Sequence, residues 1–242
     1  MAQNANSGAL FSVRDKEIRI FGADHAGAPL VVLNTLGHAA EAYAAARAAL
    51  TSSAADRARH GEFTLAAVSG MDWNRDLSPW PAPAVRRDAE DFAGLAADYL
   101  RELTEEILPE IRRHLHAAPS RTVIAGYSLA GLFAVWSLYQ TDAFDGAASA
   151  SGSLWYPGFA EYTRTHAFVR QPAGIALSLG EKEARTRHPV MKTVWDCTQN
   201  YTDLLRDQGI PAVFEPEPGN HFTDPDGRMG RCMARLLSCL IP

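Results

Sequence analysis

The feature that most narrows what this chain can fold into is a run of small residues around a serine, Gly126-Tyr127-Ser128-Leu129-Ala130-Gly131. It links a short apolar stretch, Thr122-Val123-Ile124-Ala125, to a second apolar stretch that opens at Leu129. A strand that turns sharply into a helix puts the residue at the turn in a strained conformation with its side chain exposed, and the flanking positions must be small for the turn to close. Gly126 meets that need on one side. On the other side Ala130 stands where a second glycine is usual and Gly131 follows one later, a departure of one methyl group. Such a turn requires a sheet whose strands feed helices, so it argues for a fold class as well as for a nucleophile.

The rest of the chain agrees. Short apolar runs alternate with longer segments of helical period, the pattern of βα units wound into a mostly parallel, twisted sheet with helices on both faces. Strands are expected over 16–21, 30–33, 64–68, 122–125, 146–149, 175–179 and 212–214. Several are too uniformly apolar for a half-exposed sheet. A long helix is expected over 90–116, where Phe92, Leu95, Tyr99, Leu103, Ile107, Leu108, Ile111 and Leu115 recur at three and four residues, with Pro109 bending or splitting it. Further helices are expected from Leu129, over 190–207, and between Gly227 and Leu240. With 242 residues, 47% of them hydrophobic, one α/β-hydrolase domain over 1–242 is expected.

Composition removes several functions. The formal net charge is -5 and no segment gathers Lys or Arg, so neither nucleic acid nor an anionic membrane surface is an expected partner. The N-terminus has no basic region followed by an apolar stretch, and no window is long and apolar enough for a membrane helix; a cytoplasmic protein is expected. Cys197, Cys232 and Cys239 are an odd number without Cys-x-x-Cys spacing, which speaks against a zinc site and a disulfide framework. No metal and no cofactor are expected, and composition is silent on the oligomeric state.

A serine hydroxyl is a weak nucleophile unless a base accepts its proton. In this fold class the partners follow the serine in the order acid, then histidine, with the histidine on the loop between the last strand and the last helix. Among His166, His188 and His221, only His221 in Pro218-Gly219-Asn220-His221-Phe222 has that address. His188 sits among Arg185, Thr186 and Arg187 and reads as solvated. The acid should leave the end of the 175–179 strand, where Gly180-Glu181-Lys182-Glu183 follows. Glu183 is the choice and Glu181 the rival, with surface salt-bridging the plain alternative for both.

Acyl transfer also needs donors aimed at the developing oxyanion. One is expected to be the backbone N–H of Leu129. The other should come from Asn34-Thr35-Leu36-Gly37, with Leu36 the choice and Thr35 the alternative. The segment Met71 to Pro81 leaves the carboxyl edge of the sheet, where ligands of such sheets bind. Trp73, Arg75, Trp80 and Trp155 are therefore candidates for an aromatic pocket with one cation; alternatively the tryptophans only pack the loops down. Residues 156–174 are too few for a cap domain, so the cleft is expected to be open.

The chain resembles the putative-esterase family that includes esterase D and the enterochelin (siderophore) esterases, from about Pro29 to the C-terminus. The segments that carry the likeness are Gly126 to Phe133, Ser151-Gly152-Ser153-Leu154-Trp155, Glu106-Ile107-Leu108-Pro109 and Pro218 to Phe222. In that family the first and last of these hold nucleophile and base, which implies those roles for Ser128 and His221, and the Trp73-Asn74-Arg75-Asp76 loop looks like the family's pocket loop. The resemblance implies an esterase acting on a small-molecule ester but does not carry over which one; the tryptophans and the absent lid point to a siderophore-like or other aryl ester. An acyltransferase on the same fold, or a non-catalytic binding module, are the alternatives.

Overall fold

The computed structural model describes residues 8–22, 27–51, 62–85 and 88–240. Among these described residues eight strands form one sheet: β1 (Leu10–Val13), β2 (Lys16–Phe21), β3 (Leu30–Asn34), β4 (Thr64–Ser69), β5 (Thr122–Tyr127), β6 (Gly146–Ala150), β7 (Gly174–Gly180) and β8 (Ala212–Glu217). Their order is β1-β2-β4-β3-β5-β6-β7-β8. β1 and β2 are an antiparallel hairpin and β2 meets β4 antiparallel, whereas every pairing from β4 to β8 is parallel. The carboxyl ends of β3, β5, β6 and β7 consequently line up, with Asn34 opposite Gly126, Tyr127 opposite Ala150, and Ala150 opposite Ser178. This is the α/β-hydrolase arrangement.

Alternation along the strands divides two cores. Leu30 and Val32 of β3 and Ile124 of β5 face one layer; Val31, Leu33, Val123 and Ala125 face the other. The first layer contains α3 (Ala96–Glu102), a π-helical turn (Leu103–Ile107), α4 (Leu108–Arg113), α5 (Leu129–Ser137) and α7 (Val194–Asp207), which follow α1 (Ala39–Leu50) and a short α2 (Trp73–Asp76) in the chain. α6 (Phe159–Thr165) lies between α5 and α7. The second layer is α1 packed on α8 (Pro225–Leu240). These two helices approach so closely at Gly230 that a Cβ there would stand 2.6 Å from the Ala42 carbonyl oxygen, and only glycine fits.

Several boundaries differ from the sequence reading. The expected helix over 90–116 starts only at Ala96, because Phe92 exchanges both backbone hydrogen bonds with Ala82, and the Leu95 N–H donates to the Arg75 carbonyl. A loop partner thus takes the groups a first helical turn would leave unpaired. Pro109 is absorbed by the wider π turn just before it, without splitting the helix. β1, α1 and α6 were not anticipated. β1 is a half-exposed edge strand with no apolar run, and α1 is so rich in alanine that its faces differ little. Between β6 and β7 only α6 intervenes, and among the described residues no cap covers the carboxyl edge. Among the described residues no helix is long and apolar enough to cross a membrane.

Candidate active site

Ser128 occupies the turn between β5 and α5 with φ 57° and ψ −119°. That conformation costs a non-glycine residue on the order of 1–3 kcal/mol, and neighbouring backbone bonds hold it. The Ser128 N–H donates to the Ala150 carbonyl, and the Ser128 carbonyl accepts from Gly131, Leu132 and Ser153. Closure depends on Gly126, where a Cβ would lie 2.3 Å from the Ala130 backbone and 2.7 Å from its methyl group. The alanine in place of the usual second glycine is accommodated because its partner across the turn has no side chain.

From Ser128 a line of hydrogen bonds leads away. His221 Nε2 lies 3.2 Å from Ser128 Oγ, and His221 Nδ1 lies 2.7 Å from Glu183 Oε2. Glu183 hangs from the turn after β7 and His221 from the loop between β8 and α8. Glu181, the rival acid, has an exposed side chain, and its N–H bonds to the Glu217 carbonyl at the edge of that turn. Of the two carboxylates, the fold brings Glu183 alone to the imidazole.

Sequence reasoning missed the residue that ties this line together. Arg228, in the first turn of α8, is wholly buried. Its Nη1 lies 2.8 Å from Glu183 Oε1, 2.7 Å from Ser151 Oγ and 2.9 Å from Tyr127 Oη. Its Nη2 donates to the carbonyls of Pro218, Asn220 and Thr223, which belong to the loop that carries His221. Tyr127 Oη in turn donates to the His221 carbonyl at 2.7 Å, and Ser151 Oγ donates to Glu183 Oε1 at 2.7 Å. One guanidinium thereby links Glu183, the loop that carries His221 and the strand that leads into Ser128. A signal was present: Arg228 falls four residues before Cys232 and eight before Leu236, on the apolar face of the last helix, where an unpaired cation would be very costly.

Glu183 is electrostatically well supplied. Burial by itself would raise its carboxyl, but hydrogen bonds from His221, Ser151 and the Gly180 N–H, together with the charge of His221, hold it below the ordinary value of 4.5. Glu217 is likewise raised by burial and lowered further by its bonds with Arg231 and Arg235, for a net depression. A carboxyl depressed in the folded state contributes stability that is present above its unfolded value and lost as pH falls through its folded value. Urea midpoints followed from neutral pH into the acid range are therefore expected to fall below about pH 4.5, and Glu217→Gln should flatten part of that fall. A steeper fall in the variant would contradict the assignment.

The remaining predicted residues separate into those at the cleft and those elsewhere. Leu129 and Ala130 open α5, so their N–H groups have no carbonyl one turn back. On the facing loop the Thr35 N–H donates to the Val68 carbonyl and the Gly37 N–H to Thr35 Oγ1, whereas Leu36 lines the cleft beside Ser128. Trp73 and Trp155 both line cavities that reach Ser128. Arg75 does not come to the cleft: it pairs with the buried Asp76 at 2.9 Å and borders a separate depression with Arg14 and Glu102. Trp80 does not either. Its indole N–H donates to the Pro157 carbonyl, and its ring packs on Tyr156 and Tyr162, so it fastens loops together. His188, read as solvated, instead has Nε2 2.8 Å from the Val85 carbonyl, and its Nδ1 accepts from the N–H groups of Val190 and Met191.

The pattern of the family described as "Putative esterase" matches residues 30–214. Two curated proteins of Bacillus subtilis (strain 168) are similar: the uncharacterized protein YbbA, 25% identical over 66% of this chain and 66% of its own, and the ferri-bacillibactin esterase BesA, 30% identical over 65% of this chain and 53% of its own. The chain thus matches somewhat under two thirds of one relative and about half of the other. Among solved structures, the siderophore hydrolase EstA of Aspergillus nidulans superposes with a TM-score of 0.73 at 18% identity, over 97% of this chain and 95% of that one.

Proposed function

Since this chain belongs to the putative-esterase family, we propose that it is a serine esterase that cleaves a carboxylic ester through an acyl-enzyme on Ser128. The observation that carries this reading is the unbroken line Glu183–His221–Ser128, ending at an uncapped cleft. Ser128 Oγ attacks the ester carbon while its proton passes to His221 Nε2. The tetrahedral intermediate collapses, its alcohol C–O bond breaks, and the His221 proton goes to the departing alkoxide. Water then repeats the sequence on the acyl-enzyme, with His221 again taking and returning the proton. Glu183 holds the imidazole with Nδ1–H toward Oε2 and stabilises the imidazolium. The N–H groups of Leu129 and Leu36 receive the oxyanion.

For the substrate, the aromatic walls given by Trp73 and Trp155 and the open edge support a bulky aryl ester, of the siderophore type among others, in keeping with a relative named as a ferri-bacillibactin esterase. Incubation with a fluorophosphonate is expected to label the folded protein at one site, with Ser128→Ala unlabelled. A panel of trilactone siderophores, aryl esters and acetyl esters should then show its highest kcat/KM on an aryl-bearing member. Absence of both labelling and hydrolysis would overturn the reading.

A further inference from the structure

Ser128 does not sit in one pocket but at the junction of two. One cleft of about 330 Å³ runs between the Leu33–Gly37 segment and the start of α8, and includes His221, Phe222 and Met229. The other, about 220 Å³, is bordered by Ala84, Val85, Ala89 and Glu90 and includes Leu129, Phe92, Trp155 and Met191. Among the described residues Ser128 and Trp73 line both, so Trp73 stands where the two clefts meet.

An ester bound at such a junction must send its two halves different ways. The alcohol oxygen has to lie within hydrogen-bond reach of His221 Nε2 to be protonated as it leaves, and His221 lines the larger cleft. The acyl substituent, on the opposite side of the same tetrahedral carbon, is directed into the smaller one. We propose that this enzyme binds its substrate astride Trp73, with a flat aromatic acyl group between Trp73, Phe92 and Trp155, and the alcohol portion in the cleft under His221 and Phe222. This rests on the esterase reading above.

The walls match the division. Trp73, Phe92 and Trp155 supply three aromatic faces on the acyl side, with Asn74 and Glu90 also lining that cleft. The rim there is fastened across: His188 joins the Val85 carbonyl on one side to the Val190 and Met191 N–H groups on the other. Val85 and Met191 both line that cleft, so its width is held by a side chain that touches neither the serine nor its partners. On the alcohol side the lining is aliphatic at Leu33, Leu36 and Met229 and polar at His38 and Asp226. Selection of the acyl group and selection of the alcohol are thereby entrusted to different residues.

Two pairs of esters separate the halves: p-nitrophenyl benzoate against p-nitrophenyl acetate varies the acyl group, and naphthyl acetate against phenyl acetate varies the alcohol. Ala84→Phe, which narrows the smaller cleft, should lower the benzoate-to-acetate ratio of kcat/KM by about tenfold and leave the naphthyl-to-phenyl ratio unchanged. Trp155→Ala should lower the same ratio, and Ala84→Phe stands alone if the tryptophan variant fails to fold. Phe222→Ala should change the naphthyl-to-phenyl ratio only, and should leave the ratio of benzoyl-enzyme to acetyl-enzyme deacylation rates at the wild-type value, since the alcohol has by then departed. If the variants exchange these effects, or leave every ratio unmoved, in a protein that still cleaves esters and is labelled by a fluorophosphonate, the division is wrong while the esterase reading survives. If the wild-type protein neither cleaves any ester nor is labelled, the esterase reading falls and this inference with it.

Discussion

Ser128→Ala is expected to lower kcat/KM on a p-nitrophenyl ester by about 10⁴- to 10⁶-fold, the cost seen when the nucleophile of a serine–histidine–acid set is removed. At about 1.36 kcal/mol per tenfold this is roughly 5–8 kcal/mol of transition-state stabilisation. The loss is large because the covalent route vanishes; what remains is binding and the oxyanion donors, which act on a water that no base has activated in the right place. The fold should not change with it. Ser128 already holds φ 57°, and alanine meets the same backbone cost, so the urea midpoint should move little. A glycine at this position relieves the strain, and Ser128→Gly should be the more stable inactive protein, by about 1 kcal/mol. Wild-type turnover in Ser128→Ala would sink the mechanism outright, whereas a loss of activity with a collapsed midpoint would mean that the serine is structural.

Arg228→Met should be the most destabilising single change near the site, by about 3–5 kcal/mol, because it breaks a buried ion pair from one side only. The guanidinium and Glu183 are both almost completely inaccessible, with side-chain exposures of 1% and 4%. Methionine fills the space yet leaves Glu183 Oε1 short of a charged partner, and the carbonyls of Pro218, Asn220 and Thr223 without this donor. Lysine should rescue poorly, since a single ammonium cannot reach acceptors on both sides that a planar fork spans. The double variant Arg228→Met with Glu183→Gln should lose less stability than the sum of the two single changes, because the uncompensated charge is gone. Denaturant titration of the four proteins measures this directly, and strict additivity would show that the two side chains do not act as a pair.

Much of this protein is legible in its sequence, and for identifiable reasons. The inner parallel strands are almost uniformly apolar because helices cover both faces of the sheet, and that signal, with the alternating apolar residues of β2 and the short apolar start of β8, locates seven of the eight described strands. β1 escaped because an edge strand with alternating exposure has no such run. The start of α3 was misplaced because the periodicity of Phe92 and Leu95 imitates a helix while their backbone groups are taken by Ala82 and Arg75. At the cleft, tryptophan as a residue type says only that a large ring must be covered by something. Trp73 and Trp155 line the cavities beside Ser128, while Trp80 spends its ring on Tyr156 and Tyr162.

What the sequence alone determined is the strand–turn–helix around Ser128 and the chain order of its partners, because the constraints there act between near neighbours: Gly126 must be bare for Ala130 to pass, and the loop after the last parallel strand has one histidine. What only the tertiary structure decided is which carboxylate meets that histidine, which tryptophans reach the cleft, and that Arg228 holds the assembly. The contacts of Arg228 bridge separations of 45 residues to Glu183, 77 to Ser151 and 101 to Tyr127. A buried charge chooses its partners by desolvation and three-dimensional geometry, and spacing along the chain does not encode either.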